Sequence, residues 1–365
     1  IPIPLLNKTN CSPAVCFVSS SYGTMEKTKR NESSMDIRTS THKLQPYHSK
    51  IYDKYFGELN VAFLDIETTG LYPQSSKIIL GGVLNQKKNH PEMIQYFAEN
   101  KDEEKSLLCA YCDALTESDV LISYNGKNFD LPFLERRIKY YNLFIDLNRM
   151  QCFDLYRALN LYSSFREFLP NLKQKTIENF LGIEKKRTDK ITGRESVNLY
   201  EEYIRTRSDS IKDQILGHNH DDLLQLASIL PILDKLDLHK ILFYEGFTVR
   251  QGNKRAYIQS ISIGKHSLKL AATTKYIFRD YYSFETGYQV VHLADSRALT
   301  LEIPIESLGQ ALFLDLETLV ADFSSLEKYP YFHSGYLILC EKGRIHYREI
   351  NFMVKTFLKQ ILELI

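Results

Sequence analysis

Between residues 48 and 170 the apolar positions fall into short runs separated by polar turns. "LNVAFLDI" is an almost unbroken apolar run, the pattern of a strand buried on both faces. "KIILGGVL" and "EMIQYFAEN" read as two further strands around the polar turn "NQKKNHP". "EEKSLLCAYCDAL" has the spacing of an amphipathic helix, "DVLISYNG" reads as a strand and "DLPFLERRIKYYNL" as a helix. "MQCFDLYRAL" supplies a short strand, and residues 171 to 235 are largely helical. Three strands in meander order, then alternating helices and strands, predict a mixed five-stranded α/β sheet flanked by helices over 48–236.

The period changes after residue 237. "AYIQSISIGKHSLKLAAT", "GYQVVHLA", "ALTLEIPI" and "GYLILCEKGRIHYREI" alternate with period two, the last as a hairpin turning at Glu341, Lys342 and Gly343. "FMVKTFLKQILELI" closes the chain as an amphipathic helix. Residues 237–365 are therefore expected to form a smaller β-rich C-terminal domain. Residues 1–47 are rich in Ser, Thr, Asn and Lys with little periodicity, and are expected to be disordered. The chain does not start with methionine; Met25 and Met35 are candidate starts.

Composition narrows the class without naming it. With 365 residues, 44% of them hydrophobic, the chain has the length of two ordinary domains. A net charge of +1 means that any nucleic-acid contact must use local basic patches. No apolar run reaches the ~20 residues of a membrane helix, so no membrane partner is expected. Six cysteines in a chain of this length make no disulfide framework, and Cys109 and Cys112 read as two positions of one buried helix face. A reduced, cytoplasmic protein is the expectation.

The chemistry lies in three acidic stretches. "FLDIETTG" puts Asp65 and Glu67 two apart at the end of a strand, where they share a face. Neighbouring carboxylates repel unless a cation lies between them, and oxygen ligands suit Mg²⁺ or Mn²⁺. "FLDLETL", with Asp315 and Glu317, is nearly the same string but lacks the Thr-Gly that follows, and reads as a chance echo. "SYNGKNFDLPFLERR" reads as strand, tight turn and helix start, and delivers Asp130 to the same sheet edge as Asp65.

"LGHNHDD" sits on a helix. With His218 at zero, Ile215, Leu216, Leu223, Leu226 and Leu230 cluster around a core direction of about 110° at ~100° per residue. Asp222 then falls near ~40°, beside His218, while Asp221 falls near ~300°, on the solvent side. Asp222 is the expected ligand and Asp221 a solvated charge. His218 is placed to take a proton from water, and His220 to lie at the surface or beside substrate.

"FLDIETTG", "YNGKNFDLPFL" and "HNHDDLLQL" together resemble the three exonuclease motifs of the DEDD, or DnaQ-like, 3′–5′ exonucleases, which have an RNase H-like fold. The likeness is greatest to the YprB-type RNase H-like family and extends over about 48–235, including "LPNLKQKTIENFLGI" and "KRTDKITGRESVNLYEEY". Carried over residue by residue, it implies that Asp65, Glu67, Asp130 and Asp222 bind metal and that His218 is catalytic with them. The tyrosine subclass of this superfamily places its Tyr four residues before the last Asp, and the histidine subclass its His five before. Here a histidine stands at the tyrosine spacing.

The resemblance implies two divalent cations, Mg²⁺ or Mn²⁺, about 3.5–4 Å apart, and hydrolysis of single-stranded or frayed nucleic acid from 3′ ends, DNA favoured over RNA. Thr68, Asn125, Lys127, Lys173, Lys175 and Arg187 are the candidate substrate contacts; Lys185, Lys186, Lys190 and Arg194 extend the basic loop around Arg187. Two other readings stay open: a structure-specific endonuclease on the same fold, and a catalytically silent nucleic-acid-binding module.

Overall fold

The computed structural model describes residues 35–86, 91–147, 150–183 and 193–365. Residues 34–365 form a compact unit. Its first sheet begins with β1 (Asp36–Thr41), followed by α1 (Lys50–Phe56), β2 (Val61–Thr68), β3 (Ile78–Asn85) and β4 (Glu92–Phe97). Then come α2 (Glu104–Thr116), β5 (Val120–Ser123), α3 (Asp130–Tyr140) and β6 (Gln151–Asp154). The strand order is β1-β4-β3-β2-β5-β6. β2 is the hinge of this mixed sheet, antiparallel to β3 and parallel to β5. Its two faces are both covered, which explains the unbroken apolar run: Ala62, Phe63 and Leu64 are all buried.

The sheet has six strands where the sequence pattern predicts five. The extra one is β1, from the segment expected to be disordered; residues 36–41 pair antiparallel with β4 along its full length. "DIRTST" has no apolar alternation because its side chains are mostly exposed or half-exposed. Edge pairing through the backbone needs no such pattern.

Helices α4 (Leu155–Tyr162), α5 (Phe165–Phe168), α6 (Gln174–Phe180), α7 (Gly193–Thr206), α8 (Asp209–Ser228) and α9 (Leu238–Glu245) follow. The 20-residue α8 packs on β2 and β3, and α7 packs along α8. Glycines set how closely the helices approach the sheet. A Cβ on Gly81 would lie 2.6 Å from the Tyr111 ring of α2, and one on Gly82 would lie 2.2 Å from Asn219 Oδ1 of α8. Alternation across the strand thus gives each face one missing side chain, and a helix fills each gap.

The remainder is β-rich. β7 (Thr248–Gln251), β8 (Lys254–Ile263), β9 (Ser267–Lys275), β10 (Tyr281–Phe284), β11 (Gln289–Leu293) and β12 (Ala298–Pro304) form a second sheet, ordered β10-β11-β12-β9-β8-β7. β13 (Glu306–Leu308), β14 (Ala311–Asp315), β15 (Phe332–His333), β16 (Tyr336–Glu341) and β17 (Arg344–Ile345) make a third. Lys342 and Gly343 turn the β16–β17 hairpin with φ of 48° and 78°. α10 (Tyr347–Leu364) closes the chain, and its Phe357 and Ile361 share one core cluster with Phe63 of β2 and Leu299 of β12. Among the described residues no helix is long and apolar enough to cross a membrane.

Candidate active site

Asp65 and Glu67 emerge on one face of β2, where the strand pattern places them. Asp130 is the first residue of α3, and its Oδ1 accepts from the Ile66 backbone N–H at 3.1 Å, which ties the helix start to β2. The turn before it is shaped by Asn125, at φ 68°. Asp154, at the end of β6, accepts from Asn125 N at 2.9 Å and Lys127 N at 3.0 Å, so a carboxylate on the neighbouring strand holds the loop.

α8 brings His218 and Asp222 to the same place. His218 Nε2 lies 3.7 Å from Glu67 Oε1 and 3.6 Å from Asp222 Oδ2. Asp65, Glu67, Asp130, His218 and Asp222 all line one cleft of about 840 Å³. Thr68, Tyr124, Asn125 and Phe129 line it too, with Leu71, Val197 and Asn198 as walls that the motifs do not announce.

The electrostatics of this cleft are adverse without a cation. Burial pushes Glu67 up to about 7, with Asp222 adding to the rise and His218 opposing it. Burial also lifts Asp130 to about 7, against the Ile66 N–H that favours its charged form. Asp65 is raised well above the carboxylate range by burial and then by the charges of Asp222, Asp130 and Glu67. One ligand atom from each of Glu67, His218 and Asp222 lies within 4.8 Å of the others, a spacing that can hold a metal ion. The four carboxylates of the cleft, Asp65, Glu67, Asp130 and Asp222, are hard oxygen donors of the kind that suits a divalent cation.

Asp65 has one opposing contact, and the motifs do not flag it. Asn219 Nδ2 donates to Asp65 Oδ2 at 2.8 Å, and Gln95 Nε2 donates to Asn219 Oδ1 at 2.8 Å. Asn219 is fully buried. The helical wheel carries the missing signal: at ~100° Asn219 sits in the middle of the core direction, where an amide needs a partner.

The wheel misplaces Asp221. Expected to be solvated, it is 6% exposed, and Gln225 beside it is 4% exposed. A wheel assumes one buried side, but α8 is enclosed on several. α7 packs along it, Gln174 Nε2 of α6 donates to Asp222 O at 3.0 Å, and the His42 ring lies 4.9 Å from that of His220.

The candidate substrate contacts lie in different settings. Thr68 is buried and donates to Gly70 O at 2.8 Å. Lys127 Nζ is engaged by Glu245 at 2.9 Å, which also holds Arg157 and Tyr162. Lys173 and Lys175 are exposed on either side of Gln174, the residue bonded to Asp222. Arg187, with Lys185, Lys186 and Lys190, lies outside the described residues, as does the side chain of Arg194. The echo at Asp315 has no such geometry: Asp315 ends β14, but its Oδ1 accepts from Glu317 N at 3.0 Å and caps a 3₁₀ turn that holds Glu317, so the two carboxylates do not share a strand face.

Residues 62–233 match a family model described as the RNase_H superfamily. The first sheet and its helices form an RNase H-like domain. A stretch of 70 residues is 39% identical to a DNA polymerase of Methanocaldococcus jannaschii, spanning 19% of this chain and 4% of that protein. Among solved structures, this chain is similar to the family B DNA polymerase of Pyrobaculum calidifontis, at 18% identity and a TM-score of 0.40 over 51% of this chain and 25% of that one. It is also similar to E. coli Exonuclease I in complex with a dT13 oligonucleotide, at 12% identity and a TM-score of 0.32 over 58% and 55%. The match thus spans less than two thirds of each of these proteins.

Proposed function

We propose that this chain is a metal-dependent nuclease that hydrolyses phosphodiester bonds as a 3′–5′ exonuclease on single-stranded or frayed ends, with DNA favoured over RNA. The observation that carries the reading is the convergence of Asp65, Glu67, Asp130, Asp222 and His218 on one cleft. The chemistry is assigned to residues 48–236, and 237–365 is a second domain against it.

Asp65, Glu67, Asp130 and Asp222 would hold two divalent cations, Mg²⁺ or Mn²⁺. When bound, these supply Lewis-acid stabilisation of the charge developing at phosphorus and at the leaving oxygen. His218 orients water and takes its proton at Nε2, the atom that faces Glu67 and Asp222. Glu67 and Asp222 in turn stabilise the imidazolium that results. Thr68 and Asn125 contact the terminal nucleotide from the cleft wall, and Lys127, Lys173 and Lys175 track the phosphates behind it; Arg187, outside the described residues, is assigned to phosphate contact from the sequence alone.

The test is incubation of the purified chain with 5′-labelled and 3′-labelled single-stranded DNA and RNA in Mn²⁺, Mg²⁺ or EDTA, beside Asp65→Asn. A metal-dependent ladder shortening from the 3′ end, absent in Asp65→Asn, is expected. Internal cuts would move the chain to the endonuclease reading. Retention of nucleic acid without any cleavage would make it a binding module.

A further inference from the structure

A second cleft, of about 720 Å³, opens where the β16–β17 hairpin meets the starts of α9 and α10. Four cationic side chains line it, Lys240, Lys342, Arg344 and Arg348, against two carboxylates. Both carboxylates are already engaged. Asp237 Oδ1 caps α9 by accepting from Lys240 N at 3.0 Å, and Glu349 Oε1 pairs with Arg348 at 2.5 Å. Lys240, Lys342 and Arg344 are exposed and make no ion pair among the described residues. The cleft therefore has three cations to spare.

Its inner wall holds a second feature. His346, the residue before α10, is 5% exposed, and its ring stacks on Tyr331 with centroids 3.4 Å apart. Its Nε2 is buried with no hydrogen-bond partner. No side chain caps the N–H groups at the start of this 18-residue helix, where the helix dipole favours an anion. Uncapped amides, a buried imidazole without a partner and three free cations on one cleft make a set of donors with no acceptor to match.

We propose that this cleft binds a phosphate group, carried by a nucleic-acid strand or by a mononucleotide. Phosphate suits it because one group offers several acceptor oxygens and up to two charges to converging Lys and Arg donors. The place is apt for a strand. α9 starts at this cleft and ends at Glu245, which holds Lys127, three residues before Asp130. Eight residues of helix span about 12 Å.

The binding inference stands apart from the nuclease reading, because it is read without cleavage. Binding of a fluorescein-labelled dT oligonucleotide, and of dTMP, is measured in EDTA on the full chain and on Lys342→Ala/Arg344→Ala. Both positions are exposed at a hairpin turn, so folding is not at stake. Lys105→Ala/Lys265→Ala, two exposed lysines outside the cleft, removes the same two positive charges and controls for net charge. The cleft double variant is expected to weaken binding about tenfold, and Lys105→Ala/Lys265→Ala to leave it unchanged. Loss for the oligonucleotide alone identifies a strand phosphate; saturable dTMP binding that the cleft double variant loses identifies a mononucleotide. Unchanged binding of both probes, or an equal loss in Lys105→Ala/Lys265→Ala, overturns the proposal.

Discussion

Asn219 Nδ2 donates to Asp65 Oδ2 at 2.8 Å, and the same amide takes a hydrogen bond from Gln95. This hydrogen bond favours the charged form of Asp65 against burial and the charges of Asp222, Asp130 and Glu67. Asn219→Leu removes it and leaves the buried Gln95 amide short of an acceptor, a cost of about 1–3 kcal/mol in stability. Loss of such an outer-shell partner is also expected to weaken Mn²⁺ binding about 10–100-fold. Calorimetric titration of Mn²⁺ checks this; wild-type affinity in a folded variant would show that Asn219 only packs.

The paired glycines of β3 separate packing from chemistry. A Cβ on Gly82 meets Asn219 Oδ1 at 2.2 Å and so presses on the Asp65 contact, whereas one on Gly81 meets Tyr111 on the opposite face. Both alanine variants are expected to lose about 1–3 kcal/mol by overpacking. Gly82→Ala, which presses on the side chain that holds the Asp65 carboxylate, should lose more nuclease activity than Gly81→Ala, whose Tyr111 reaches only the Asp65 backbone, at a temperature where both remain folded. Equal loss in the two variants would mean that activity tracks stability alone.

How much of this was legible in the sequence follows from what each signal encodes. The run "VAFLDIET" specifies both a buried strand and two carboxylates on one face, because strand alternation is local. The closing helix and the β16–β17 turn are local in the same way. β1 was not legible, since an edge strand held by backbone bonds leaves no apolar pattern. The burial of Asp221 was not legible either, because it depends on which elements enclose α8. Asn219 lay between: its position on the core side of the wheel was readable, but its partner Gln95 is on a distant strand.

The carboxylates carry opposite expectations for activity and stability. Glu67→Gln and Asp130→Asn are expected to abolish hydrolysis, since each removes a charge that holds a cation. Without metal, each also removes a carboxylate whose charged form is disfavoured first by burial and then by a neighbouring carboxylate, Asp222 for Glu67 and Asp154 for Asp130. The metal-free variants should therefore melt above the metal-free wild type at pH 8, by differential scanning fluorimetry. A variant that melts well below the wild type would mean that the carboxylate serves the fold.

The raised values of Glu67 and Asp130, both about 7, set a pH dependence for the metal-free protein. In the unfolded chain these groups titrate near ~4. Below that pH both states hold the protons and neither group affects stability. As pH rises from about 4 to 7, the unfolded chain releases protons that the folded cleft keeps, so stability falls by up to about 1.4 kcal/mol per pH unit for each group. Above about 7 the full penalty is present in the metal-free fold. Divalent cations bind the ionised carboxylates and offset it, so the rise in Tm on adding Mn²⁺ should be small at pH 5 and largest above pH 7. Glu67→Gln/Asp130→Asn isolates these two groups from the rest of the chain, and its Tm should respond little to Mn²⁺ at either pH. A shift of the same size at pH 5 and pH 8 in the wild type, or one that survives in the double variant, would place the cation elsewhere.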